Sequence, residues 1–498
     1  MSTYEDLIKY SKKLRNIENA IYLLAWDERT YMPKGAVDGR SKTKAELSQM
    51  YHEKMTSDKM KKMIDELNKR SVNDSLDDIQ RAAVREMTRG FDRRYKIPDE
   101  LIREIAVTSS KGQSAWDVAK EKSDFDHFLP YLKKHVELQQ EKAGYIGYEN
   151  EPYDALIDGY EPGFTAKKIK NIFDPMKKKL SNFVDSIIDS SKIIGEGVFE
   201  GKSFDIEKQK ILSEEIAKDF GYDFEHGRLD ETTHPFTMGM DDDVRITNRY
   251  DDSNLSSLYS LMHETGHALY EQGLPEEWYG HPLGKRISMG YHESQSRMWE
   301  NFVGRSEEFM DYLYPKLVKS FPSLKEHTKQ EFYEAINQVK PSFIRVDADE
   351  VTYNLHIALR FDIELGFFRD EIEAGEADVV WQNKMDEYLG IVPEDPAEGV
   401  LQDIHWSSSQ FGYFPSYALG NLYASQIFDT ALEGISTLPK DISGGRFNSL
   451  REWLRDEIHS HGRRYLAEEM TNKLTGETLS EDYYLTYLKE KYSPIYEL

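Results

Sequence analysis

Apolar residues recur at three- and four-residue intervals along most of this chain. Tyr4, Leu7, Ile8, Leu14, Ile17, Ile21 and Leu24 form the first such stripe, a spacing that one face of a helix collects. Ser2 and Glu5 stand ahead of it in the arrangement of a capping box. The same periodicity fills 75–87, 98–106, 126–143, 165–188 and 204–220, and proline and glycine mark breaks at 159–163 and 195–201. Between 228 and 250 the texture changes. His234-Pro235-Phe236, Thr237-Met238-Gly239 and Val244-Arg245-Ile246-Thr247 are short and β-prone, which predicts a small sheet. Helical spacing returns after Asp252 and runs through Tyr270, then through 293–303, 331–339, 349–368 and 413–432. No repeat, low-complexity tract or linker interrupts it. The expectation is one large, mainly α-helical unit over 1–498, with chemistry concentrated at about 230–430 and two lobes flanking a groove.

Composition narrows the function. With 31 Tyr, 23 Phe and 7 Trp in 498 residues, the chain can bury a substantial core. Its net charge of −26 repels phosphate backbones and anionic bilayers, so neither nucleic acid nor membrane is an expected partner. With no cysteine there can be no disulfide, thiolate ligand or thiol nucleophile. The opening Ser2-Thr3-Tyr4-Glu5-Asp6 is polar and acidic, unlike a secretory leader, and the longest apolar run, near Ala20 to Trp26, is far too short to cross a bilayer. A cytoplasmic protein is the expectation.

Within the helix expected to begin near Asn254, with Asp251, Asp252 or Ser253 as its cap and Gly273 as its stop, lies His263-Glu264-Thr265-Gly266-His267. Residues four apart share a helix face, so both imidazoles can grip one metal ion, and Glu264 stands beside it to accept a proton from water. That is the core of a zinc peptidase. Catalytic zinc takes three protein ligands and keeps one open position. Tyr270 and Gly273 stand where a metzincin needs Gly and His, which removes that branch. A carboxylate on a following helix is the better third ligand, and Glu293 in His292-Glu293-Ser294-Gln295 is the first candidate. His292, Glu276, Glu277 and His281 are rivals.

At this point the chain resembles the carboxypeptidase Taq family of metallocarboxypeptidases. The resemblance is carried in order by His234-Pro235-Phe236, Asp243-x-Arg245-x-Thr247, His263-Glu264-x-x-His267, His292-Glu293-Ser294-Gln295, Ile344-Arg345-x-x-Ala348-Asp349 and Gly399-x-x-Gln402-Asp403-x-His405-Trp406. Trp26-Asp27 and Met32-Pro33 resemble the family's amino-terminal region. The resemblance implies His263, His267 and Glu293 as ligands of one zinc, or cobalt, and Glu264 as catalytic base. It implies a helical, neurolysin-like fold with a deep groove, a homodimer, and release of single residues from free peptide carboxyl termini with broad specificity. Candidates to stabilise the oxyanion are His234, His405, Tyr413 and Tyr417. The last two lie in a Gly412–Tyr417 segment resembling the tyrosine-rich loop of neurolysin-like enzymes. Arg345 is the first choice for the substrate carboxylate, because a guanidinium fork can hold both oxygens. Arg245 and Arg297 are alternatives, and Arg345 could instead brace the framework through Asp347 or Asp349. Asp243, Asp349 and Asp403 are expected to brace motifs. Two further readings stay open: an endo-oligopeptidase or dipeptidyl carboxypeptidase of the same architecture, and a non-catalytic peptide-binding protein braced by zinc.

Overall fold

The first apolar stripe forms a 28-residue helix, α1 (Thr3–Thr30), in the computed structural model, which describes residues 2–498. Its capping box is reciprocal: Glu5 N–H donates to Ser2 Oγ at 3.3 Å, and Ser2 N–H donates to the Glu5 carboxylate at 3.0 Å. Helices α2 (Val37–Met55), α3 (Asp58–Leu67) and α4 (Asp78–Tyr95) fold against it. They enclose a small core of their own, in which Leu7, Leu14, Met60, Ile64, Leu67 and Phe91 are buried. The rest of the chain surrounds a second and far larger core. Ala82 and Ala83 meet Leu283 in a small cluster that joins the two lobes. Helices hold 68% of the residues.

The β-prone stretch forms the single three-stranded sheet among the described residues, with β1 (Gly227–Glu231), β2 (Thr237–Met240) and β3 (Asp243–Asn248) in the order β1-β3-β2. The central strand β3 runs parallel to β1, with Val244 opposite Gly227, and antiparallel to β2, with Thr237 opposite Ile246. Val244 and Ile246 point into the large core. Two details differ from expectation. His234-Pro235-Phe236 is a bend, since Pro235 has no N–H to give a ladder. β1 was not foreseen, because Gly227-Arg228-Leu229-Asp230-Glu231 carries charge on an edge strand, which hides the alternation.

Helix α5 (Ser256–Gly273) carries the paired histidines. It begins at Ser256, whose N–H is met by the Asn254 side chain at 2.9 Å. Asp251, an expected cap, closes instead on Ser253 N–H at 2.8 Å. Helix α6 (Met289–Arg297) carries Glu293, is capped by Ser288 and runs on as a π-helical turn, Met298–Val303. Helices α7 (Tyr353–Phe368) and α8 (Pro415–Gly434) complete the surroundings. Two glycines set the spacing. A Cβ on Gly266 of α5 would stand 2.5 Å from the Gln295 carbonyl oxygen of α6, and one on Gly420 of α8 would stand 2.5 Å from Glu293 Cγ. No side chain fits at either position, so α6 is held between two bare helix surfaces.

Ion pairs tie the lobes together across the groove. Glu18 of α1 accepts from Arg15 at 2.8 Å and from Lys285, ahead of α6, at 2.6 Å. Burial raises its pKa, but Lys285 and Arg15 outweigh burial and pull it down to about 2. A depressed carboxyl contributes stability that is complete above its unfolded value near 4.3 and is lost as pH falls through the folded one. Glu18→Gln should therefore lower stability by about 3 kcal/mol at pH 6 and by much less near pH 2. Urea unfolding of both proteins across that window checks it, and a pH-independent difference would contradict the assignment.

Candidate metal centre and groove

His263 and His267 project from one face of α5, their ring centroids 4.9 Å apart and nearly perpendicular. Glu293 reaches between them from α6. One of its oxygens lies 3.5 Å from His263 Nε2 and 3.4 Å from His267 Nε2. The second nitrogen of each ring is occupied. His263 Nδ1 meets Glu300 at 2.9 Å, and His267 Nδ1 meets the His292 carbonyl at 3.0 Å. Both partners are acceptors, so each Nδ1 carries the hydrogen and each Nε2 lone pair faces Glu293. Two lone pairs and a carboxylate converging on one point repel unless a cation or proton lies between them. A set of two imidazole nitrogens and one carboxylate oxygen within 4.8 Å of one another suits zinc and similar divalent ions.

The surrounding charges fit that reading. Burial opposes ionised Glu293, but Arg297 and the two histidines outweigh it and hold the carboxyl well below the usual carboxylate range. Arg297 donates to the other Glu293 oxygen at 2.8 Å. Burial also opposes charge on His263, and Glu293 with Glu300 overcomes it, so its pKa rises. The pocket draws positive charge to its centre.

Glu264, the next residue after His263 in the chain, is buried. The Thr237 hydroxyl, on β2, lies 2.7 Å from Glu264 Oε2 and 2.9 Å from its carbonyl oxygen. This contact joins the edge strand to α5 and holds one carboxylate oxygen. The other rivals for third ligand point elsewhere. His292 stacks on the His267 ring at 4.2 Å and lies 3.1 Å from Glu271, while burial pushes it down to about 3. Glu276 and Glu277 are exposed, and His281 meets the Tyr4 hydroxyl at 3.2 Å.

A second group forms around α8. His405 Nε2 lies 3.3 Å from the Tyr417 hydroxyl, and the Tyr413 and Tyr417 rings meet edge to face at 5.1 Å. Burial, with Glu293 adding to it, pushes Tyr413 up to about 12, so at neutral pH its hydroxyl keeps its proton and can donate. Burial holds His405 down to about 4, hence neutral. Arg345 belongs to this group, its guanidinium 5.0 Å from the Tyr417 ring. Its carboxylate partner is Asp403, at 2.8 Å, not Asp347 or Asp349, and Asp403 also binds Arg360. Asp349 instead accepts the N–H groups of Val351 and Thr352. Arg245 pairs with Asp243 over Trp26, and Arg297 is held by Glu293 and Glu300. Of the three arginines, Arg345 alone joins Tyr417. His234 is exposed in the bend ahead of β2 and makes no hydrogen bond to either group.

Three residues of the site were not anticipated. Glu300 follows Glu293 by seven positions, two helical turns, and that spacing after a candidate ligand was the available signal. Thr237 carried no signal beyond its place in a predicted strand. Glu364 of α7 accepts from Tyr153 at 2.6 Å, Trp406 at 2.7 Å and the Gly412 N–H at 2.8 Å, and so fixes the start of the tyrosine segment. A lone glutamate in a helical stripe does not announce that role.

The chain also matches known proteins over its whole length. Residues 6–492 match the family model described as carboxypeptidase Taq (M32) metallopeptidase. Carboxypeptidase 1 of Bacillus subtilis is 39% identical over 100% of this chain and 99% of its own length. Thermostable carboxypeptidase 1 of Thermus thermophilus is 38% identical, with 99% of each chain covered. The solved structure of Pyrococcus furiosus carboxypeptidase superposes with a TM-score of 0.96 at 36% identity, covering 99% of both chains. With helices, sheet and histidine pair disposed as described, the chain belongs to the carboxypeptidase Taq (M32) metallopeptidase family.

Proposed function

We propose that this protein is a zinc metallocarboxypeptidase that hydrolyses the carboxyl-terminal peptide bond and releases single amino acids with broad specificity. One observation carries the reading: His263 Nε2, His267 Nε2 and a Glu293 oxygen converge beside Glu264. In this reading those three residues hold one zinc, and the same donors suit cobalt. The bound ion supplies Lewis acidity, polarising the scissile carbonyl and drawing the pKa of water from about 15.7 toward roughly 7. Glu264 takes the proton of the attacking water and passes it to the departing amine nitrogen. Thr237 holds one Glu264 oxygen, which aims the other. The Tyr413 or Tyr417 hydroxyl donates to the carbonyl oxygen as charge builds there, a contribution of about 2.7–4 kcal/mol for a donor so placed. Neutral His405 orients Tyr417.

Arg345 receives the terminal carboxylate of the peptide. Asp403 and the Tyr353 hydroxyl engage three of its N–H groups, which leaves a charged edge for a second carboxylate. That contact favours cutting at the terminal bond over internal cuts. A structural zinc site has no use for a carboxylate placed as Glu264 is. The reading also includes a homodimer, following the family resemblance, and a cytoplasmic location. No helix of the described residues is long and apolar enough to cross a membrane.

Digestion of a neutral peptide followed by mass spectrometry should give a ladder of single-residue losses from the carboxyl end. Internal cuts or two-residue steps would reject the exopeptidase reading. Glu264→Gln should reduce kcat by roughly 10²–10⁴-fold while bound zinc stays near one per chain. Glu300→Ala should weaken zinc binding about 10–100-fold in chelator competition, because His263 loses the acceptor that orients it. Unchanged affinity would show that Glu300 does not act through His263.

A further inference from the structure

The groove changes its charge where it passes the end of α5. In a chain of net charge −26, the cavity of about 420 Å³ between α1, α4 and the segment ahead of α6 is lined by seven cationic side chains and three carboxylates. The carboxylates are spread thinly. Glu18 serves both Arg15 and Lys285, Asp241 from outside the lining also meets Arg15 at 2.9 Å, and Glu271 meets Arg286 at 3.2 Å. Asp158, from outside the lining, serves both Arg89 and Arg93, each at 3.0 Å. Glu86 meets Arg85 at 2.9 Å and is left 3.6 Å from Arg463. Arg94 has no carboxylate partner among the described residues; it donates to the Gly90 carbonyl at 3.0 Å and lies over the Tyr51 ring. Burial, aided by Arg15 and Arg463, pushes Lys285 down to about 8 in spite of Glu18. Cations crowded at this density repel one another, and an entering anion relieves that repulsion.

The cavity continues the peptide path. Gly239 of β2 and Glu271 of α5 line it. Gly239 is two residues, about 7 Å, along the strand from Thr237, and Glu271 is one turn, about 6 Å, beyond His267. Arg345, His405 and Tyr417 do not line it, so it is a different stretch of the groove from the one assigned to the terminal carboxylate. Edge strand β2 offers main-chain groups along which an extended peptide can lie. The volume far exceeds that of a chloride or phosphate ion and accommodates a side chain with its water.

We propose that this cavity is an anion-accepting subsite of the groove, which binds the carboxylate of an Asp or Glu side chain on the amino-terminal side of the scissile bond. The proposal rests on the carboxypeptidase reading above. It adds a preference: peptides with an acidic residue at the matching upstream position are favoured, and a free α-amino group reaching the cavity is repelled.

The test uses matched peptides with one apolar carboxyl-terminal residue and Glu or Gln placed in turn at each upstream position. At one position the Glu peptide should show a KM about tenfold lower, the scale of one charge-assisted hydrogen bond. The advantage should shrink in about 0.5 M NaCl, and in Arg94→Gln and Arg463→Gln proteins, which should still cleave the Gln peptides at the original rate. Fluorescence titration of Glu264→Gln protein with the same peptides should give the same ranking without turnover. Equal KM for Glu and Gln at every position overturns the proposal, as does a Glu preference that survives in both arginine variants. Inorganic phosphate that inhibits Glu and Gln peptides alike would mark a plain ion site and also overturn it. The unaltered protein decides the peptide and salt comparisons even if a variant does not fold. Failure to cleave the Gln peptides at all would instead count against the carboxypeptidase reading.

Discussion

The Glu293 carboxylate, wedged between two imidazole lone pairs, is the constraint around which the rest is arranged. Such a contact is unfavourable by itself, and it is tolerable only because positive charge is supplied from several directions. Arg297 holds one oxygen, and Glu300 biases His263 toward extra positive charge. A divalent ion at the centre completes the same logic. The packing serves this electrostatic demand. Gly266 and Gly420 bring α5, α6 and α8 close enough for Glu293 to have nowhere else to go. The small sheet contributes Thr237, whose hydroxyl holds one oxygen of Glu264.

Polarity is partitioned along the groove. Toward α8, the buried His405 is neutral and Tyr413 keeps its proton, so donors are present without net charge, and Arg345 is bound to Asp403. Toward the amino-terminal lobe, cations outnumber the carboxylates that face them. A chain of net negative charge thus carries a cavity in which cationic side chains predominate.

Much of this was legible in the sequence, for reasons that differ by element. The histidine pair and Glu264 could be read because helix geometry turns a four-residue spacing directly into a shared face. Glu293 could not be separated from His292 by spacing alone. Only the packing shows His292 turned to Glu271 while Glu293 faces the two rings. Helices dominated as expected, since an apolar stripe needs no partner to be recognised. β1 escaped because an edge strand can be charged on both faces and still pair. Glu300, Thr237 and Glu364 act through contacts between elements distant in the chain, and no local pattern encodes those. The same holds for Arg345, whose anchor proved to be Asp403, 58 positions away, and not its near neighbours.

The two lobes have separate apolar cores, and what joins them near the groove is mostly charged, apart from the patch where Ala82 and Ala83 touch Leu283. Separating the lobes breaks buried ion pairs such as Glu18 with Lys285 but exposes little apolar surface. The helices that carry the donor atoms lie wholly within the larger core. Any parting of the lobes would therefore break these ion pairs first and leave the histidine pair and its carboxylate, anchored in the larger core, in place.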